Sequence, residues 1–257
     1  MFDSYVAIGD SFTEGVGDEL PDGSVRGWAD LVALGLAQAA APEPVRYANL
    51  AIRGKKLGPI IDEQLDAAIA LKPAVLSFNG GGNDILRPRM SVETVAGRFR
   101  DAIERIRAAD IHVLMLSGAN PSANLPLGGV FDGRGNELTA ALRDVGEQPG
   151  VTFVDNFSDR GLRDIRYWSA DKLHLNAAGH ARVASNVLTA LGVPVPPEWG
   201  VAEVAAEPPG PKARNTAAYY REYVLPWIGR RLTGRSSGDG RAAKRAELDP
   251  VELEAAG

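Results

Sequence analysis

Two polar side chains of the sequence stand directly after short apolar runs, where a buried strand would end. They are Ser11, in Gly-Asp-Ser, and Asn83, which follows three consecutive glycines. A third group, Asp171 and His174, stands just before the last segment with helical spacing. A hydroxyl, an amide, a carboxylate and an imidazole at such positions are the residue types used in serine-based acyl transfer.

Each of these residue types has a chemical reason to be there. A serine hydroxyl is a weak nucleophile at neutral pH and needs a base, and histidine can accept its proton and later return it. A carboxylate on the other ring nitrogen fixes the tautomer, and Asp171 lies three positions before His174, within reach of one local turn. Attack on an ester places negative charge on the carbonyl oxygen, for which Asn83 and backbone N–H groups near Ser11 are candidate donors. The residues therefore predict Ser11 as nucleophile and His174 as base.

Together these motifs resemble the conserved blocks of the SGNH, or GDSL, family of esterases and lipases. The matching blocks are Gly9-Asp10-Ser11-Phe12, Asn49 to Gly54, Gly81-Gly82-Asn83-Asp84 and Asp171-x-x-His174, in family order over about residues 3–192. Phe12 stands where the GDSL name has leucine. The resemblance implies a catalytic triad of Ser11, Asp171 and His174. It also implies an oxyanion hole made by the backbone N–H groups of Ser11 and Gly54 and the side chain of Asn83.

The apolar pattern predicts the elements that must position these residues. Buried strands are expected at residues 5–8, 45–50, 74–78, 111–116 and 151–154, and helices at about 28–40, 56–72, 91–109, 134–147 and 177–191. Strands that alternate with helices predict a three-layer α/β/α domain with a parallel sheet of about five strands, in flavodoxin-like order as in the SGNH hydrolase fold. In such sheets the ligand site lies beyond the carboxyl ends of the strands, where Ser11 and Asn83 are found. We assign this catalytic domain to residues 1–195.

The composition changes after about residue 195. Residues 196–257 form a Pro- and Gly-rich extension in which we predict one short helix at about 216–232 and a flexible polar tail. The tail contains Gly234-Arg235-Ser236-Ser237-Gly238, which fits the G-x-S-x-G pattern of a nucleophile elbow. That pattern has meaning only between a strand and a helix, so we do not assign it a catalytic role.

Composition and the remaining polar residues limit the function further. The net charge of −5 argues against nucleic-acid binding, and the absence of cysteine excludes disulfides, thiolate metal sites and a cysteine nucleophile. With no signal-like segment or long apolar run, we expect a cytoplasmic enzyme that does not associate with membranes. We expect Asp10, Asp84, His112 and His180 to have structural roles.

These observations predict a carboxylic ester hydrolase that acts through an acyl-serine intermediate on a small-molecule ester, without a metal or organic cofactor. Two alternatives remain open. An acyltransferase would use the same residues with an alcohol in place of water, and a binding module would keep the fold without turnover. The sequence predicts neither the acyl chain nor the oligomeric state.

Overall fold

The computed structural model describes residues 2–87, 90–125, 128–199, 219, 221–222, 225 and 236–253 of the chain. The strands are β1 (Ser4–Ile8), β2 (Arg46–Asn49), β3 (Val75–Phe78), β4 (His112–Leu116), β5 (Val151–Val154) and β6 (Arg245–Pro250). The helices are α1 (Ser11–Glu14), α2 (Trp28–Ala40), α3 (Leu57–Ile60), α4 (Asp66–Ala70), α5 (Gly82–Ile85), α6 (Val92–Ala108), α7 (Gly128–Gly146) and α8 (Ala177–Ala190). A π-helical turn, Ile61–Leu65, joins α3 to α4.

The sheet has the strand order β5-β4-β3-β1-β2-β6. Its first five strands are parallel to one another, in the flavodoxin-like order that the sequence predicts. The chain order changes direction at β1, which pairs with both β2 and β3. At such a reversal the loops after neighbouring strands lead to opposite faces of the sheet, which leaves a crevice at the carboxyl ends of the strands. The residues that follow β1 and β3 lie at this crevice.

Helices cover both faces of the sheet, because its central strands are apolar on both sides. β1 and β3 are buried along their whole length. One core, around Trp28, packs α2 and α8 on one face, and a second core, around Phe99, packs α6 and α7 on the other. The central strands are therefore packed between two layers of helix.

The sixth strand corrects the prediction of a flexible tail. β6 pairs antiparallel with β2, so the sheet is mixed, with six strands. Its sequence, Arg-Ala-Glu-Leu-Asp-Pro, is mostly exposed and charged, as suits an edge strand. An edge strand lacks the apolar pattern by which buried strands are recognised, and the sequence analysis therefore missed it.

Two further differences concern helices. The segment predicted at 56–72 is divided into α3, the π-helical turn and α4, and α7 begins at Gly128, earlier than the predicted 134. The glycines at the start of α7 have low helix propensity, and the sequence pattern therefore did not indicate a helix there. The helix predicted at about 216–232 lies almost entirely outside the described residues. Within the described part of the chain, no helix has the length and apolar character needed to cross a membrane.

Candidate active site

Ser11 is the first residue of α1, directly after β1 and its short connection. Asp10 is the N-cap residue of this helix, and its carboxylate accepts a hydrogen bond from the Phe12 N–H. The buried side chain of Gln64 fixes the preceding Gly9, since its amide accepts from the Gly9 N–H at 2.8 Å and donates to the Gly9 carbonyl at 3.0 Å. Gln64 thus binds both the N–H and the carbonyl of Gly9, in the short connection between β1 and the candidate nucleophile.

The candidate nucleophile, base and carboxylate form one continuous hydrogen-bonded line. His174 Nε2 lies 3.1 Å from Ser11 Oγ, across 163 positions of the sequence. His174 Nδ1 lies 2.5 Å from Asp171 Oδ2. Since an ionised carboxylate only accepts hydrogen bonds, Nδ1 carries the proton and Nε2 presents its lone pair to the serine hydroxyl. This is the arrangement required for a general base beside a nucleophile.

Asp171 is held in its charged form by its surroundings. Burial alone would raise the pKa of this carboxyl, but its hydrogen bonds and its electrostatic interaction with His174 lower the pKa below its usual range. Its Oδ1 accepts from the Ser169 hydroxyl at 2.7 Å, the Leu173 N–H at 2.9 Å and the His174 N–H at 3.0 Å. The same contacts fix the orientation of the carboxylate toward the ring of His174.

A residue that the sequence analysis missed brings the histidine loop against the nucleophile helix. Gly17 has φ +103°, and a Cβ atom built there would lie 2.1 Å from the Leu175 carbonyl oxygen and 3.2 Å from His174 Cβ. The backbone of Gly17 therefore approaches the histidine loop so closely that a side chain is excluded. The glycine itself was visible in the sequence, but its partner lies more than 150 positions away.

The predicted oxyanion donors meet at the same edge of the sheet. Gly54 lies in the turn after β2 with φ +74°, a conformation that favours glycine. Among the described residues, no protein acceptor receives the backbone N–H of Ser11 or of Gly54. Asn83, in α5, donates its side-chain amide to Asp10 Oδ2 at 3.2 Å and to the Lys55 carbonyl at 2.9 Å. The amide of Asn83 is therefore tied both to the residue before Ser11 and to the residue after Gly54.

Two buried carboxyls border this site, and neither forms an ion pair with a described residue. Burial raises the pKa of Asp10 to about 6, against the lowering effects of the Phe12 N–H and of nearby His174. Burial also raises the pKa of Asp84, whose Oδ2 accepts from the Leu57 N–H at 2.9 Å. The carboxyl of Asp10 thus caps α1, and that of Asp84 binds the N–H of Leu57, the first residue of α3.

The other two histidines, His112 and His180, form hydrogen bonds away from the candidate triad. His180 Nδ1 accepts from the Trp28 N–H at 3.2 Å, and burial lowers the pKa of this histidine to about 3, so it is neutral at physiological pH. His112 Nε2 lies 2.9 Å from the Thr152 hydroxyl. In the described ranges, no cluster of three or more His, Asp or Glu side chains is arranged to hold a metal ion.

The fold and this geometry can be compared with known proteins. The model of the GDSL-like lipase/acylhydrolase family matches residues 7–182, about two thirds of the chain. The chain belongs to this family. It is also 26% identical over 209 residues, covering 72% of this chain and 80% of the other, to the uncharacterized protein YpmR of Bacillus subtilis.

Solved structures share the fold. An acetyl-xylooligosaccharide esterase of Geobacillus stearothermophilus superposes with a TM-score of 0.63 at 17% identity, covering 75% of this chain and 95% of its own. A lipase from a goat rumen metagenome superposes with a TM-score of 0.62 at 20% identity, covering 73% and 96%. At these identities the likeness concerns the architecture. In each case about a quarter of this chain lies outside the superposed region.

Proposed function

We propose that this family member hydrolyses carboxylic esters through an acyl-serine intermediate formed on Ser11. The observation that carries the proposal is the continuous line from Ser11 Oγ through the ring of His174 to Asp171, with distances of 3.1 Å and 2.5 Å. A hydroxyl, an imidazole and a partly buried carboxylate in this order are the groups that serine-based acyl transfer requires.

In the first step, Ser11 Oγ attacks the ester carbonyl carbon while His174 Nε2 takes the hydroxyl proton. Asp171 accepts the Nδ1–H bond throughout and stabilises the imidazolium that forms. The tetrahedral intermediate collapses when His174 returns the proton to the leaving alcohol, and the acyl group stays on Ser11. Water then attacks the acyl-serine with the same proton transfers, and the carboxylic acid is released.

The negative charge of each tetrahedral intermediate needs donors that are already in place. The N–H groups of Ser11 and Gly54 supply two of them, because neither is used by another described residue. The Asn83 amide supplies the third when one of its hydrogens turns from Asp10 to the oxyanion. Fixed backbone donors need no reorganisation as the charge develops, which is the source of their effect on rate.

A structural relative supports this assignment. Catalytic mutants of the acetylxylan esterase of Geobacillus stearothermophilus replace one serine, one aspartate and one histidine, and its aspartate and histidine are three positions apart. Asp171 and His174 have the same spacing. The chemistry of that enzyme, removal of a small acyl group, makes short acyl esters the first substrates to test.

The direct test is hydrolysis of short-chain p-nitrophenyl esters by the wild type and by Ser11→Ala. We expect turnover by the wild type and its loss in Ser11→Ala, since the variant lacks the nucleophile, with labelling of Ser11 by a fluorophosphonate probe. Ser158→Ala, which changes an exposed serine, is the matched control and should keep full activity. Activity retained by purified Ser11→Ala would overturn the proposal.

A further inference from the structure

The C-terminal segment contains a serine-glycine turn that contacts the predicted oxyanion loop. Residues 236–240 form a turn, and the Gly238 N–H donates to Ser236 Oγ at 3.1 Å. This is the described part of the G-x-S-x-G pattern found in the sequence. The turn is followed by β6 and not by a helix, so its serines do not occupy a nucleophile elbow.

The turn fits tightly against the backbone of the loop that carries Gly54. A Cβ atom built on Gly54 would lie 2.5 Å from Ser236 Oγ and 2.8 Å from Ser237 Oγ. In the opposite direction, a Cβ atom on Gly238 would lie 2.2 Å from the Arg53 carbonyl oxygen and 2.7 Å from Ile52 Cγ2. The two backbones thus approach each other at a pair of glycines, with no room for a side chain on either.

The other side of the loop is fixed by the nucleophile helix. The Glu14 carboxylate accepts from the Arg53 N–H at 2.5 Å and from the Arg53 guanidinium at 2.6 and 2.8 Å. Lys244, further along the C-terminal segment, donates to the Glu14 carbonyl at 2.6 Å. The Arg53–Gly54 turn is therefore held between α1 and the C-terminal segment, and the segment itself is attached to α1.

We propose that the turn Ser236–Gly238 is a positioning element that holds the Gly54 N–H where the oxyanion forms. This inference rests on the proposed function, since it takes Gly54 as an oxyanion donor. The turn lies outside residues 7–182, which match the family model, so it is an addition to the shared domain. Misplacing a catalytic donor by about 1 Å can lower a rate by about 10²-fold. A contact that sets the position of the Gly54 N–H should therefore affect kcat.

The test is Gly238→Ala in the full chain. The φ of Gly238 is not among the positive values, so the methyl group acts only by its contact with Arg53 and Ile52. Gly240→Ala is the control in the same segment, because a Cβ atom there meets nothing within 4 Å although its φ is +74°. We expect Gly238→Ala to lower kcat on a short acyl ester by roughly tenfold, with KM within about twofold of the wild type. Gly240→Ala should keep the wild-type kcat.

Hydrogen exchange of the Arg53 and Gly54 amides supplies a readout that does not depend on activity. We expect faster exchange of the Arg53 amide in Gly238→Ala than in Gly240→Ala. A purely structural contact would lower Tm and leave kcat of the folded enzyme unchanged, and that result would overturn the proposal. Wild-type kcat together with wild-type exchange in Gly238→Ala would overturn it as well.

A milder variant covers the case in which Gly238→Ala does not fold. Ser236→Ala removes the hydroxyl that accepts from the Gly238 N–H at 3.1 Å and lies 3.5 Å from the Arg53 carbonyl oxygen. This variant should raise exchange at Arg53 and lower kcat by a few-fold. If the wild type does not hydrolyse esters, the proposed function fails, whereas the exchange data still report whether the turn holds the loop. An unchanged loop in Ser236→Ala would count against the positioning role.

Discussion

At the scale of single residues, the side-chain amide of Asn83 connects the two halves of the candidate oxyanion hole. Its Nδ2 is 3.2 Å from Asp10 Oδ2 and 2.9 Å from the Lys55 carbonyl oxygen. These bonds place the amide between the nucleophile turn and the Gly54 turn before any substrate binds. The amide is therefore already beside the site, and only one of its hydrogens has to turn from Asp10 to the oxyanion.

We expect Asn83→Ala to lower kcat on short acyl esters by roughly 10²–10³-fold with little change in KM, because the donor acts on charge that exists only in the transition state. Asn136→Ala, which removes an exposed amide from α7, is the control and should behave as the wild type. Steady-state kinetics on both variants measure the effect. A change confined to KM would mean that Asn83 binds substrate and does not stabilise the oxyanion.

Asp10 gives the site a measurable pH dependence of stability. Burial raises the pKa of this carboxyl to about 6 in the folded protein, while in the unfolded chain it returns to its ordinary value near 3.8. The folded state therefore binds the proton more tightly, and the stabilisation present below about pH 4 is lost as the pH rises through 6. Asp84 and His174 are the neighbouring titratable groups and are present in both proteins compared below.

We expect the free energy of unfolding of the wild type, measured relative to Asp10→Asn, to fall by about 2–3 kcal/mol between pH 4 and pH 7. Asparagine keeps the size and the capping ability of the residue but does not titrate. Urea unfolding of both proteins at several pH values gives the difference directly. Parallel stability curves would show that Asp10 has an ordinary pKa.

At the scale of elements, the site depends on close contacts between segments that are far apart in the chain. Gly17 lies in the turn directly after α1 and packs against the Leu175 carbonyl oxygen, next to His174. This contact sets the distance between the helix that carries Ser11 and the loop that carries the base. A displacement here acts on the proton-transfer distance of 3.1 Å.

We expect Gly17→Ala to lower kcat by roughly tenfold or more, because the new methyl group would lie 2.1 Å from the Leu175 carbonyl oxygen and must displace the histidine loop. Gly23→Ala is the matched control, with a similar positive φ of +82° and nothing within 4 Å of the added Cβ. Both variants carry backbone strain of about 1–2 kcal/mol, but only the first is expected to move the base. Equal kcat values for the two variants would exclude the contact as a determinant of the site.

The sequence predicted the elements whose signal is local. Ser11 and Asn83 were found because each follows a buried apolar strand, and His174 because it precedes an amphipathic helix. Gln64 was not found, since its two hydrogen bonds to Gly9 join positions 55 residues apart and a glutamine in a helix has no distinctive pattern. β6 was missed for a related reason, because an exposed edge strand derives its stability from pairing with β2 and not from its own apolar residues.

At the scale of the whole molecule, three contacts of the described C-terminal residues with the catalytic domain lie at separate places. β6 pairs with β2, the turn Ser236–Gly238 packs on the Gly54 loop, and the Tyr219 hydroxyl donates to the Asp171 carbonyl at 2.9 Å. Two of the three contacts involve the loops that carry candidate site residues. The stability of the extension and the geometry of the site are therefore connected.

Lys244 is the charged group that anchors this segment to the body of the domain. Its Nζ donates to the Glu14 carbonyl at 2.6 Å, to the Val25 carbonyl at 3.1 Å and to Asp30 Oδ2 at 2.6 Å. The lysine and Asp30 side chains are only 20% and 26% exposed, so solvent screens the ion pair incompletely. All three donor positions of the ammonium group are used, on three different segments of the chain.

We expect Lys244→Met to lower the free energy of unfolding by about 1–3 kcal/mol, because methionine keeps much of the apolar stem but leaves the three partly buried acceptors without their donor. Arg241→Met changes an exposed residue of the same segment and should leave stability within about 0.5 kcal/mol of the wild type. Urea unfolding measures the difference, and limited proteolysis should cut Lys244→Met between residues 236 and 250 sooner than the control. If the two variants unfold and are cleaved alike, the hydrogen bonds of Lys244 do not contribute measurably to the free energy of unfolding. Other contacts, such as the pairing of β6 with β2, would then hold the segment.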